Sequence, residues 1–422
     1  MTMTIRGAFV LLASLASAFD LSASANAAVQ VWGRQLGTAT DEFAGALAVD
    51  AGGNGYLAGA TAGDLARKNA GKNDIGIGKF DTTGRSVWLR GFGTAEDDSA
   101  KSIALDSAGN VFVAGETRGK LGNSQFGKAD GFVAKLDPLG QIVWLEQFGT
   151  AGDESGQAIA CDASGSVFVT GFTTGKPDGT ALPQPDAFVR KFAPDGRCIW
   201  TRQWGTDGAD DGKSIAAGPQ GDLFVTGATS GDLAGHGSAG KIDIFVTKLD
   251  PVGNVVWNRQ FGTPDFDVGM KLLADREGNL YVGGSFAGDL AAPQAGQGDS
   301  VLLKLSPNGE LLWKRQFGTP RWDGIHGLAL SADGVSRVIV GGCQNYDQCQ
   351  AFLREFDAEG HELWQTRVAT EQTMCGTQVG LDRYGNIYQV GGTHGPAFGP
   401  YAGTGNDIFL VKLSAEDTPS KQ

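Results

Sequence analysis

One phrase recurs along this chain. "WLEQFGTAGDES" from Trp144 has near copies at "WLRGFGTAEDDS" from Trp88 and "WGRQLGTATDEF" from Trp32. Trp stands at 32, 88, 144, 200, 257, 313 and 364, at spacings of 56, 56, 56, 57, 56 and 51 residues. Self-similarity at a fixed period means that one supersecondary unit is copied and that each copy buries its apolar face against the next. The 422 residues are therefore read as seven copies of one unit, before any count of ordinary domains.

Each copy holds four short β-type runs separated by turn signals, here called a to d: "KSIALD", "NVFVAGET", "GFVAKLD" and "QIVWLEQFG" in the second copy. An Asp-x-x-Gly pattern joins a to b, as at Asp106/Gly109 and Asp162/Gly165, and a similar one joins c to d, as at Asp137/Gly140 and Asp250/Gly253. Asp bonds the turn's N–H groups and Gly takes the positive φ that starts the return strand, so these are hairpins. The 66 glycines, more than twice the usual share, favour tight turns over long helices. Seven four-stranded sheets predict an all-β, seven-bladed β-propeller, a ring that leaves few strand edges exposed. "AVQVWGRQLGT" begins the repeats as a lone d strand and "DIFLVKLS" ends them as a c strand without its d. The N-terminal strand is therefore expected to complete the last blade.

The unit W-x-R-Q-F-G-T … I-A-L-D-x-x-G-N-V-F-V-A-G-x-T … D-x-F-V-A-K-L-D-x-x-G resembles the bacterial SBBP repeat, named for a seven-bladed β-propeller, over essentially all of residues 28–414. The resemblance implies an exported or surface-associated propeller and brings no catalytic residues with it. Trp after a D-x-x-G turn is also similar to the propellers of quinone-cofactor dehydrogenases and outer-membrane assembly factors, although the adjacent Cys pair of a dehydrogenase is missing. Copy six departs most: "GGCQNYDQCQAFLREF" lacks the usual long loop and the usual Lys.

Residues 1–27 read as an export signal, with Arg6, the apolar core "GAFVLLASLASAF" and a small-residue cleavage site ending at Ala27. That core is too short for a permanent membrane helix, and no later segment approaches the needed length. The single domain is placed at 28–414, followed by a polar tail at 415–422. A net charge of -13 argues against nucleic acid and anionic membrane surfaces as partners. A periplasmic or extracellular monomer is expected.

With antiparallel strands, the a–b and c–d turns share one face, and the b–c loops and d–a connectors share the other. The second face carries the variation, with loops such as "AGDLARKNAGKN", "GKPDGTALPQP" and "GPAFGPYAGTGN", and variable loops on a rigid frame are where binding is usually found. An acid stands ten residues after the Trp in six copies, at Glu42, Asp98, Glu154, Asp210, Asp267 and Asp323, with Met374 in the seventh. If a is the innermost strand, these carboxylates approach the channel mouth, where they either cap turns and bridge blades or bind a hard cation such as calcium. A second acid precedes strand c, at Asp74, Asp130, Asp186, Asp243, Asp299 and Asp407, each followed five residues later by Lys. An odd offset puts Asp and Lys on opposite sides of the sheet, so contacts between blades are expected instead of pairing within one. The Trp residues are read as packing between blades.

A scaffold role recurs in every copy and a single ligand site breaks the pattern. The breakers are Trp204, His236, Arg321, Trp322, His326, Tyr346, His394 and Tyr401, with the Cys343 to Cys349 insert. Five Cys leave at least one unpaired, and Cys343–Cys349 is the preferred bridge. No H-E-x-x-H, G-x-S-x-G, Walker or C-x-x-C signature appears. The leading expectation is a scaffold that binds protein or polysaccharide through the b–c loop face. A calcium-stabilised binding module and a polysaccharide-active enzyme using paired carboxylates are the alternatives.

Overall fold

The computed structural model describes residues 28–176, 179–331, 337–345, 349–368, 374–401, 403 and 405–414. The expected signal segment, the polar tail and Tyr346 lie outside the described residues. Among the described residues every regular element is a strand, and the strands form seven four-stranded antiparallel sheets. Blades I to VI run over 42–92, 98–148, 154–204, 210–261, 267–317 and 324–367, each in the order a-b-c-d. Blade VII takes a, b and c from 374–414 and its d from Val29–Leu36, which pairs with Asp407–Ser414 from Val29 against Ser414 to Leu36 against Ile408. The seven-bladed ring closed by the N-terminal strand is thus observed as expected.

The local chemistry of the hairpins is also as read. Asp106 Oδ1 accepts the N–H of Asn110 at 2.8 Å, while Gly109, at φ 80°, donates to Asp106 O at 3.0 Å. Strands a of successive blades pack on one another all the way round, Met374–Leu381 against Glu42–Val49 included, and so line the central channel. Each carries a one-residue bulge against strand b, at Lys101 in blade II and at His326 in blade VI. The core lies between blades: Phe112 and Val133 of blade II interdigitate with Ile159, Val169 and Phe188 of blade III. A sheet buried on both faces reads as continuous apolar runs, which is why strands b and c carry stretches such as Val111–Ala114 at zero exposure.

Six of the seven repeated Trp residues, all but Trp364, grip the c–d turn of the neighbouring blade. Trp144 Nε1 donates to Pro194 O at 3.0 Å in the c–d turn of blade III, and its ring lies against Gly196, where a Cβ would come within 2.8 Å of it. Gly196 also has a φ of 91°, so two independent constraints select glycine there. Trp32, Trp88 and Trp313 make the same contact with Thr82, Pro138 and Ala358. The Arg two residues on donates Nε to the carbonyl of the turn glycine itself, from Arg34 to Gly84 and from Arg90 to Gly140. The repeated Lys belongs to this same end of the blade. Lys135 Nζ stands 5.3 Å from the Phe112 ring centroid and Lys304 Nζ 5.0 Å from that of Tyr281, and both donate to a turn carbonyl of the next blade.

This clamp predicts a graded loss on denaturation. Trp144→Ala should cost about 3–5 kcal/mol. Gly196→Ala should cost more than about 1 kcal/mol, because the new methyl meets the ring in a left-handed backbone. Urea unfolding of the two variants beside wild type measures both, and a Gly196→Ala midpoint equal to wild type would remove the clamp from the account.

Candidate functional site

At the opposite end, the face of the b–c loops, the two repeated acids meet across six of the seven seams between blades. Asp98 at the start of strand a is fully buried and accepts from Thr94 N at 2.5 Å, Thr94 Oγ1 at 2.9 Å and Thr117 Oγ1. Glu42 accepts likewise from Thr38 and Thr61, and Glu154 from Thr150 and Thr173. Asp210, Asp267 and Asp323 take Thr206, Thr263 and Thr319 in the same way. The second acid, Asp74, comes from strand c of the preceding blade, and Gly93 lies between the two. A Cβ on Gly93 would sit 2.4 Å from Asp74 Oδ1 and 3.0 Å from Asp98 Oδ2. Gly149, Gly205 and Gly318 occupy the same wedge in their seams. The F-G-T of the repeated phrase is thus a glycine between two carboxylates and a Thr that binds one of them.

Burial first, and the neighbouring aspartate after it, pushes Asp98, Asp210, Asp267 and Asp323 above the ordinary carboxylate range, against the downward pull of their Thr bonds. Oxygens engaged in this way hold connectors to strands. Among the described residues, the groups that bring three potential metal ligands within 4.8 Å of one another are Cys343/Cys349/Cys375 and Asp357/Glu359/His361, and none of the six ring acids belongs to either.

The second acid also anchors the variable loops through the Gln of the phrase. Gln147 Nε2 donates to Asp130 Oδ2 at 2.7 Å, and its Oε1 accepts from Leu121 N and Gly122 N of the b–c loop. Gln260, Gln316 and Gln35 repeat the arrangement with Asp243, Asp299 and Asp407. Blade I has Gly91 in place of Gln, and there the loop's own Arg67 reaches Asp74 at 3.1 Å. The loops therefore vary in sequence on a constant anchor.

The pattern-breaking residues spread over blades III, IV, VI and VII. Trp204 replaces the Phe of the phrase and packs in the core between blades III and IV. His236 sits in a turn whose N–H groups, from Gly235 to Gly237, converge on Asp232. Arg321 and Trp322 are exposed on the connector into blade VI, with Trp322 over Gly298. His394 is exposed, and Tyr401 donates to Gly405 O within its own loop. His326 belongs to the channel wall, where burial pushes its imidazole below the usual value. One channel residue escaped the sequence reading: Lys271 stands where the other blades carry Ala46, Ser102, Ala158, Ser214, Gly327 and Gln378, and burial brings its ammonium down to about 8.

The seam between blades VI and VII has neither acid. Gln350 and Met374 stand in their places, yet Met374 N still donates to Cys349 O at 2.7 Å, as Asp98 N does to Asn73 O. Cys343, Cys349 and Cys375 converge here, with Cα atoms 5.7 Å apart for Cys343 and Cys349 and 5.3 Å apart for Cys349 and Cys375. The preferred Cys343–Cys349 pair thus lies within the Cα spacing of a bridge but shares that position with Cys375, and Cys349 forms only one such bond at a time. Its bond to Cys375 ties two blades together. Cys161, whose thiol burial pushes up to about 12, and Cys198 are free.

Exposed aromatic side chains mark the loop face: Phe43 at the channel mouth, Phe126 on a b–c loop, and Phe266 and Trp322 on connectors. Between blades II and III the same face opens into a cavity of about 430 Å³, walled by Phe126, Phe148 and Phe188 and reached by Arg190 and Lys176.

Fold and seam together define the class, a seven-bladed β-propeller with a repeated inter-blade clasp. Within it, the SBBP family, described as a beta-propeller repeat, matches residues 87–122, from strand d of blade I to the b–c loop of blade II. Among curated proteins, the chain is 28% identical over 153 residues to the regulatory protein FlaEY of Caulobacter vibrioides, covering 32% of this chain and 16% of that protein. It is 22% identical over 341 residues to the uncharacterized WD repeat-containing protein L264 of Acanthamoeba polyphaga mimivirus, covering 69% of this chain and 24% of that one. The chain thus spans a quarter or less of the length of either relative. Among solved structures, Sqt1 from Chaetomium thermophilum aligns at 10% identity and a TM-score of 0.49, over 93% of this chain and all of that one. BamB from Moraxella catarrhalis aligns at 14% and 0.45, over 92% of this chain and all of that one.

The seam acids make stability depend on pH in a defined direction. A folded-state pKa raised above 3.8 means that the folded chain binds the proton first, so these acids add stability as pH falls from neutral towards about 4. His326, held below its usual value, opposes them between pH 6.5 and its own folded value. The difference between wild type and Asp98→Asn/Asp210→Asn isolates the acids: the thermal midpoint of wild type should rise between pH 7 and pH 4.5 relative to that of the variant. Parallel curves would place both acids outside the titration.

Proposed function

We propose that this protein is a binding scaffold of the cell envelope that holds a protein or polysaccharide partner on its b–c loop face. The observation that carries the reading is the placement of exposed aromatic surface. Phe43, Phe126, Phe266 and Trp322 all stand on that face, whereas towards the turn face, among the described residues, Tyr384 is the exposed aromatic and the other exposed apolar residues, such as Leu139, Val143, Val252, Val256 and Leu312, are aliphatic. Aromatic side chains on a pre-ordered surface supply contact area at low entropic cost, and they suit a polypeptide or the apolar face of a sugar. Loops anchored by the Gln–Asp pairs meet the partner already ordered. The paired acids that a polysaccharide-active enzyme would use lie beneath Thr donors and a glycine, which favours binding over turnover.

The test compares two faces. Envelope proteins and polysaccharides retained by wild type should be lost from Phe126→Ala/Phe266→Ala/Trp322→Ala and kept by Leu139→Ala/Val252→Ala/Tyr384→Ala. The reverse pattern would assign binding to the turn face. Export belongs to the same reading: the intact mass of the protein recovered from the envelope or medium should begin at Ala28, and a mass that includes residues 1–27 would place it inside the cell.

A further inference from the structure

Two blades, III and VI, put an Arg near the middle of strand c, where the others carry Gly78, Ala134, Thr247, Leu303 and Val411. Both guanidinium groups stand over the Phe that ends strand d of the preceding blade, Arg354 at 4.1 Å from the Phe317 centroid and Arg190 at 4.5 Å from that of Phe148. They differ in what neutralises them. Arg354 pairs with Glu362 at 2.7 Å, on the neighbouring strand d. The residue that corresponds to Glu362 in the register of blade III is Cys198: it opposes Phe192 as Glu362 opposes Phe356. Among the described residues Arg190 accordingly makes no hydrogen bond or ion pair, and its Nε is buried without an acceptor.

The space around Arg190 is also distinctive. In blade II the loop leucine, Leu121, packs onto its own blade and is tied down by Gln147. In blade III strand c is lengthened to Ala181–Phe192, and Gln203 keeps its bond to Asp186 at 2.9 Å while its Oε1 accepts nothing among the described residues. The result is the cavity of about 430 Å³, with an unpaired guanidinium, a free amide oxygen and aromatic walls. The acid at its floor, Glu154, is taken up by Thr150 and Thr173.

We propose that this cavity is a binding site for a carboxylate carried on an apolar body, the carboxylate taking at Arg190 the place that Glu362 takes at Arg354 and the body lying among Phe126, Phe148 and Phe188. A largely buried cation with no ion-pair partner is costly, with Glu154 acting on it only at a distance, and a planar guanidinium pairs a carboxylate through two hydrogen bonds, so the missing partner has a defined shape. The Gln203 oxygen adds an acceptor for a donor beside the carboxylate, such as a backbone N–H. Two sources share this chemistry, a free small acid and the apolar C-terminal residue of a polypeptide. The site lies in the seam between blades II and III; it shares Phe126 with the loop face proposed above, but its charge contact is Arg190 of blade III, so it stands or falls separately from the reading of the whole face.

Calorimetric titration of the full chain with 3-phenylpropanoate and with N-acetyl-leucyl-phenylalanine, each beside its amide, tests the proposal. At least one acid should bind, at least about tenfold more tightly than its amide, since a hydrogen-bonded charge contact is worth that much. The peptide acid binding the more tightly identifies a chain terminus, and the reverse order a free acid. Arg190→Gln should abolish the preference for acid over amide. Cys198→Glu, which recreates the pair of blade VI inside the protein, should raise the thermal midpoint and block both acids, so the proposal is decided even if Arg190→Gln does not fold. Equal binding of acids and amides, no binding at millimolar concentration, or acid binding undiminished in Cys198→Glu overturns it.

Discussion

Every blade of this ring is buried on two sides by its neighbours, so the seam between blades is the interaction on which the rest depends. It is built at both ends. Near the turn face a Trp ring closes on the c–d turn of the next blade, where Gly196 and its counterparts leave room for the indole, joined at seams such as Arg34 on Gly84 by an Arg. Near the loop face a carboxylate from each blade meets across a glycine, with Thr donors closing on one and a Gln on the other. These donors stiffen the seam, while Oδ1 of Asp74, Asp210, Asp243 and Asp299 is buried without a hydrogen bond among the described residues. The seam between blades VI and VII dispenses with the acids and brings three sulfurs together instead.

A frame held in this way separates packing from recognition. The Gln–Asp anchor is the same under loops of quite different sequence, so the b–c loops change without loosening the ring. The proposed carboxylate site lies where the anchor is partly released. In blade III the Gln keeps its Asp and lets go of the loop, a cavity opens, and an Arg beneath it loses the counter-ion that blade VI supplies to its equivalent. The inner strands show the same logic on a smaller scale, with Lys101 and Lys213 paired to Glu116 and Asp211 at the channel, and Lys271 burdened by burial alone.

Much of this was legible in the residues, and the reason is local. Asp-x-x-Gly turns act within four residues, so their hairpins could be read directly, and a 56-residue period left few architectures to consider. The acid ten residues after each Trp was equally visible. Its partners were not, because Thr94 lies four residues before Asp98 and Thr117 nineteen after it, and only the folded blade brings both to one carboxylate. Pattern breaking pointed to Trp204, whose indole belongs to the core, and passed over Arg190, which the same comparison of strands c would have shown. The decisive contrast is between Arg190 with Cys198 and Arg354 with Glu362, four positions on two strands of each blade whose relation only the strand register reveals. The third cysteine, Cys375, is distant in the chain from Cys343 and joins it only because strand a of blade VII lies against blade VI.

By itself the sequence determined the number of blades, the strands within each, the turns between them and the closure of the ring by both ends of the chain. These follow from periodicity and from turn chemistry, which act over short stretches and repeat. Tertiary structure alone decided which carboxylates meet, which cysteine competes for Cys349, and which guanidinium is left without a counter-ion. Those outcomes depend on distances between residues of different strands and different blades, and a linear order carries no such distances until the ring has closed.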